Sequence, residues 1–256
     1  MAITPGTPAP QQNHLLASLG AEIQSRLFPH LELVSLSLDQ ILYRSGEALH
    51  YVYFPTDSIV SLLYVMDKGG TAEISVVGNE GLIGVPVFMG GETRPHQAIV
   101  QSAGSAYRLQ RQLFMNEFNR GGEMPLLLLR YTQSLLTQMA QTAVCNRRHS
   151  IDQQLCRWLL LCLDRLPSNQ LTMTQEFIAT MLGVRREGVT AAASKLQNLG
   201  VIEYCRGRIT VLDRRKLEKL SCECYAIVKR ETDRLLPYPP RRFVPPLSAQ
   251  DSGAGA

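Results

Sequence analysis

The sequence predicts an α+β chain: a β-rich front half, then helices, then a winged helix-turn-helix near the C-terminal end. Three observations predict it. Apolar residues alternate between Leu31 and Leu109, and they recur three or four apart after Pro125. Residues 171–212 then combine the spacing of two short helices with a hairpin directly behind them.

Residues 1–13 are rich in Pro, Gln, Thr and Ala, a composition expected to remain disordered. Leu15, Leu16, Leu19, Ile23 and Leu27 follow at helical spacing and read as one short amphipathic helix. Within a first domain over 14–123, alternation is visible at Leu36/Leu38, Tyr51/Tyr53, Ile59/Ser61/Leu63/Val65, Ile74/Val76 and Ile99/Gln101. Turn signals at Ser45-Gly46, Pro55-Thr56-Asp57, Asp67-Lys68-Gly69-Gly70, Gly78-Asn79 and Gly90-Gly91 cut the run into short strands. Short strands at such spacing suggest a sandwich or barrel.

Residues 124–145 are expected to form a long helix. Leu128, Tyr131, Leu135, Met139 and Thr142 make one stripe of about five turns, and Leu127 and Leu136 widen it. A face that broad suits packing on the β domain together with a parallel, two-fold contact to a second copy. A purely intramolecular core helix accounts for the same stripe. A helix from Ser150 to Leu163 opens a domain over 146–225, and Pro167-Ser168-Asn169 breaks it. Residues 226–256 read as a helix end and a disordered tail that includes Pro237, Pro239 and Pro240.

The helix-turn-helix spacing is the most specific signal. Thr174 is a natural N-cap, and Glu176 suits the positive end of a helix. Counting from Gln175, small Ala179 is fifth and Gly183 ninth, where the turn needs a positive φ. Ile178, Leu182, Val184, Val189 and Ala192 supply the small core between the two helices. In the second helix Val189, Ala193 and Leu196 point inward, which leaves Arg185, Arg186, Glu187, Thr190, Ser194 and Lys195 outside. Arg binds guanine O6 and N7 in a bidentate manner and Glu accepts from cytosine N4, so base reading is assigned to Arg185, Arg186, Glu187 and Thr190. Backbone contacts are assigned to Thr174, Ser194, Lys195, and to Arg206 and Arg208 at the tip of the hairpin formed by 201–205 and 208–212.

Charge agrees with a polyanionic partner, double-stranded DNA. The overall +4 divides into −3 over residues 1–144, +6 over 145–234 and +1 beyond. No apolar run reaches membrane-spanning length and no secretory signal opens the sequence, so a cytoplasmic protein with no membrane partner is expected.

The order of parts resembles the Crp-Fnr family of transcription regulators over roughly residues 15–225. The likeness is strongest over Leu171–Leu212, where Gly183-Val184-Arg185-Arg186-Glu187-Gly188-Val189-Thr190 is similar to the family's recognition-helix motif. The family's base-reading Arg-Glu pair falls on Arg186 and Glu187. A further basic residue of the cyclic-AMP-type members would fall near Ala191, so their operator does not carry over. The resemblance implies a cyclic-nucleotide-binding-like β-roll or jelly roll in front, a dimerisation helix around Leu128–Thr142, homodimers on two-fold operators, and RNA polymerase as a partner.

The nucleotide cassette departs from the family's. Glu80 and Arg94 are the candidates for an effector pocket, but they lie too far apart, and Pro95 offers phosphate neither a hydroxyl nor an N–H. The effector is therefore left unknown, with no support for a cyclic nucleotide. An iron–sulfur cluster is unsupported too, because no cysteine precedes Cys145 and the Cys222-Glu223-Cys224 pair makes a poor ligand set. The six cysteines read as buried or incidental free thiols, with redox sensing a remote option. The histidines show no paired metal-ligand spacing, nothing supports His96 as a haem ligand, and no nucleophile–base constellation suggests an enzyme. The alternative function is a small-molecule-binding regulatory module whose back half mediates protein contacts.

Overall fold

Asn13 anchors the start of the chain. Its Oδ1 accepts from the backbone N–H groups of Leu15 and Leu16 at 3.1 and 3.2 Å, and its Nδ2 donates to the carbonyls of Pro55 and Gly81. All four bonds are made in a buried setting, so the predicted disorder does not extend to residues 8–13. Tyr107 fixes the same segment by donating to the Pro8 carbonyl at 2.6 Å. The computed structural model describes residues 8–66, 70–91 and 96–236. The expectations for residues 1–7, for the 67–69 turn, for Arg94 and Pro95, and for the tail from 237 lie outside the described residues.

The single helix expected over Leu15–Leu27 is two: α1 (His14–Ala17) and α2 (Ala21–Leu27). They part at Gly20, whose N–H donates to Glu123, while Gln24 turns its Nε2 to the Leu16 and Leu19 carbonyls. Side chains thus take over backbone groups that a continuous helix would have used.

Two antiparallel sheets make the front lobe a β-roll. One has the order β1 (Glu32–Leu36), β7 (Gly104–Gln110), β3 (Tyr51–Pro55). The other runs β2 (Ile41–Tyr43), β6 (Gln97–Ser102), β4 (Ile59–Val65), β5 (Thr71–Val77). Val52, Val60, Leu62, Val77, Val100 and Leu109 fill the space between them. α3 (Val85–Phe88) and α4 (Arg111–Phe118) pack alongside, and Phe88 and Phe114 meet at 6.1 Å.

The long helix α5 (Glu123–Arg148) has 26 residues, longer than the expected span at both ends. Its inner face carries Leu128, Tyr131, Leu135 and Thr142, all buried, with Met139 partly buried. These are the residues predicted at a dimer contact, and they are instead occupied inside their own chain. Tyr131 donates to the Leu82 carbonyl, and Gln138 pairs with both the N–H and the carbonyl of Val76. The helix has apolar residues on two sides, and the β-roll takes this one.

The second lobe begins at α6 (Ile151–Leu163), which a capping box of Ser150 and Gln153 starts. β8 (Gln170–Thr172), α7 (Gln175–Leu182), α8 (Arg186–Asn198), β9 (Ile202–Cys205) and β10 (Arg208–Val211) complete a winged helix-turn-helix, its small sheet ordered β8-β10-β9. α9 (Arg214–Leu220) and α10 (Glu223–Leu235) follow, and α10 runs back along α5, where Thr232 and Ser134 share a hydrogen bond. Leu236 ends in the front lobe's core. The C-terminal helix thus belongs to both lobes.

A second core joins the lobes. Ile59, Leu63 and Val76 on the outer side of the four-stranded sheet are buried with Trp158, Leu159 and Leu163 of α6. β4 is consequently buried on both faces over Ile59–Leu63. No described helix is long and apolar enough to cross a membrane.

Candidate nucleic-acid interface

Local chemistry builds the two crossing helices as expected. Thr174 caps α7, its Oγ1 accepting from the Phe177 N–H at 3.1 Å. Gly183 ends α7 in the left-handed region at φ +66°, a conformation that costs a residue with a Cβ about 1 kcal/mol or more. Ile178, Ala179, Leu182, Val189, Ala192, Ala193 and Leu196 are buried, and Val184 is packed against them.

Arg185, Arg186, Glu187, Thr190, Ser194 and Lys195 are all exposed, on one side of the second helix. Arg185 stands just before α8 as its N-cap in extended conformation, and Arg186 is its first helical residue. Among the described residues, no acidic side chain pairs with Arg185, Arg186, Arg206 or Arg208. Two guanidinium groups at the positive end of α8 and two on the wing thus have no acidic side chain against them. That is a surface for a polyanion.

Two predicted contact residues have intramolecular work. Lys195 forms an ion pair with Asp152 of α6, so a phosphate must compete with that carboxylate. Thr190 donates to Gln175 Oε1 at 2.7 Å and ties the recognition helix to the start of α7. The contacts to Asp152 and Gln175 were not expected from the sequence, because the partners lie 43 and 15 residues away.

The wing turns at Arg206 and Gly207, with φ of +48° and +76°. Positive φ at both central residues is the type I′ geometry that matches strand twist in a two-residue hairpin. Arg206 and Arg208 are exposed at its tip, on the strand pair that follows α8. Arg214, in contrast, is structural: it bonds Asp164, Glu218 and the Tyr225 hydroxyl.

Glu80, the effector candidate, is not free to hold a ribose. Its Oε1 accepts from Arg165 Nε at 2.8 Å and its Oε2 from the Gly78 N–H at 3.1 Å. The Arg165 stem lies over Gly78, where a Cβ would come within 2.7 Å of it. This close approach lets an arginine from the second lobe reach a carboxylate of the first. The Glu80–Arg94 pocket is therefore corrected at its first member.

The cysteines divide as well. Cys205 is exposed on the wing and the other five are buried. Cys145, Cys222 and Cys224 meet beside His149, a grouping the sequence reading did not foresee. The available signal was Cys145 and His149 one helical turn apart.

Comparison with known proteins agrees with this architecture. A family profile described as Crp-like helix-turn-helix domain matches residues 153–220, and one described as cyclic nucleotide-binding domain matches 33–120. Among solved structures, FixK2 from Bradyrhizobium japonicum is 18% identical, with TM-score 0.64 over 75% of this chain and 98% of its own. A regulator from Eubacterium rectale assigned to the crp/fnr family is 15% identical, with TM-score 0.62 over 82% and 98%. A CRP-family transcriptional regulator from Thermus thermophilus is 17% identical, with TM-score 0.62 over 73% and 96%. At these identities the structures bear on the fold alone. No curated protein matches the sequence significantly.

Proposed function

This chain belongs to the Crp-Fnr family of transcription regulators, and from that premise we propose that it binds two-fold DNA operators as a homodimer in the cytoplasm. The observation that carries the reading is the set of exposed, unpaired guanidinium groups at Arg185, Arg186, Arg206 and Arg208, divided between a recognition helix and a wing. In this reading Arg186 and Glu187 address base edges, Arg206 and Arg208 hold phosphate, and RNA polymerase is met at the promoter.

Homodimer formation is supported by the outer face of α5. Leu126, Leu129, Leu136 and Val144 are exposed there, and the positions 126, 129, 133, 136, 140, 143 and 147 follow a heptad. Because Glu80 is bound to Arg165, the β-roll is proposed to take an effector other than a cyclic nucleotide held through that carboxylate.

Selection from random duplex DNA tests the reading. The expected result is a two-fold consensus, with Arg186→Ala losing discrimination between sequences. Arg208→Ala should weaken all sequences alike and reduce the salt slope by about one. Failure to recover any consensus with the wild-type protein would sink the proposal.

A further inference from the structure

Cys145 and His149 lie at the end of α5, Cys222 is the N-cap of α10, and Cys224 is in its first turn. One Sγ or ring-nitrogen atom from each comes together so that all four lie within 4.8 Å of one another. Cys145 Sγ and Cys222 Sγ are 3.6 Å apart, as are Cys224 Sγ and His149 Nδ1. A tetrahedral ion with metal–sulfur bonds of about 2.3 Å and metal–nitrogen bonds of about 2.0 Å needs S···S edges of roughly 3.8 Å and S···N edges of roughly 3.5 Å. The Cys145–Cys222 and Cys224–His149 edges match these to about 0.2 Å, and the remaining four lie within 4.8 Å.

Two further observations point to a ligand. Arg157 of α6 is buried with no carboxylate partner among the described residues, and its Nε has no hydrogen-bond partner. Its guanidinium is within electrostatic reach of Cys145 and Cys224, as it is of Glu73 in β5. A zinc ion with three thiolates and a neutral imidazole carries one net negative charge, which would sit beside a buried guanidinium that forms no ion pair among the described residues. His149 also directs its Nε2 at Glu223 Oε1, 3.3 Å away, which leaves Nδ1 turned to the thiols. A carboxylate on the far nitrogen is the usual orienting partner of a metal-bound imidazole.

We infer that Cys145, His149, Cys222 and Cys224 form a closed tetrahedral zinc site that braces the elbow between the long helix and the DNA-binding lobe. All four positions are filled by protein, which is the structural and not the catalytic arrangement. His149 directly precedes Ser150, the cap of α6, so the ion pins the point where α5 hands over to the second lobe and ties α10 to it. Loading releases the protons of whichever thiols are not already ionised.

The test uses the full-length, reduced protein and reads metal without DNA, so it fails or succeeds independently of operator binding. Zinc analysis after gel filtration should give one ion per chain, and cobalt should show the intense spectrum of a tetrahedral thiolate complex. His149→Ala and Cys224→Ser should lower zinc affinity at least about tenfold, while Cys205→Ser, outside the cluster, should leave it unchanged. Should the variants fail to fold, the wild-type thermal midpoint provides the second measurement: it should rise with zinc and fall with a chelator. Wild-type protein that holds no stoichiometric zinc, variants with unaltered affinity, or a Cys145–Cys222 disulfide as the resting state would each overturn the inference.

Discussion

Glu73 is a carboxyl group buried in β5 beneath the first helix of the second lobe. Burial pushes its pKa up to about 7 from 4.5, against the opposing pull of hydrogen bonds from Ser61 and Trp158. Ser61 Oγ donates to Glu73 Oε2 at 2.7 Å and Trp158 Nε1 to Glu73 Oε1 at 2.9 Å, stabilisation of the charged form that burial outweighs. Between the unfolded and folded values, the native chain holds a proton that the unfolded chain has lost. Stability from this group is therefore complete below about pH 4.5 and lost as pH rises through about 7, a span worth roughly 1–3 kcal/mol. Glu73→Gln should remove that slope and make the protein more stable than wild type at pH 8, as urea unfolding at pH 5 and 8 would read. An unchanged slope would assign the titration elsewhere. Residues whose partners are local, such as Thr174, Ala179 and Gly183, were legible in the sequence. Glu73 was not, because Ser61, Gln101 and Trp158 reach it only after the lobes pack.

At the scale of the element, α5 shows what periodicity can and cannot say. The helix and its apolar character follow from spacing alone, yet leucines on two sides leave the inward side undetermined. The stripe through Leu128, Tyr131 and Leu135 is taken by the β-roll, with polar Gln138 and Thr142 in the same row because each finds a backbone partner. The outer row through Leu129 and Leu136 remains exposed. Leu129→Glu with Leu136→Glu should therefore give a folded monomer in sedimentation velocity, with little change in the thermal midpoint of the chain itself. Tyr131→Ala should do the reverse, costing about 3 kcal/mol in urea unfolding through the cavity it leaves and the lost bond to Leu82. A dimer that survives the double charge substitution would remove the outer face from the homodimer proposal.

Across the whole molecule, the order of β-roll, long helix and winged helix-turn-helix was legible because each part carries its own local pattern. The joins between parts were not, since they pair residues far apart in the chain: Trp158 with Glu73, Thr232 with Ser134, and Arg165 with Glu80. The last of these is the most consequential join. Glu80 sits in the turn after β5, Arg165 follows α6, and the two side chains are only 15% and 6% exposed. Removing one partner of such a pair leaves a buried charge uncompensated, typically at a cost of 3–5 kcal/mol, whereas replacing both with apolar groups is often close to neutral. Arg165→Met alone should thus destabilise strongly and split one unfolding transition into two, because Glu80 then draws water into the seam between the lobes. Glu80→Leu with Arg165→Met should recover most of the loss and a single transition in calorimetry. The same double variant tests whether Glu80 serves an effector. If the pair is a structural bolt, a repacked seam leaves DNA affinity intact, but if the carboxylate is a binding group, the repacked protein is stable and no longer responds to its effector.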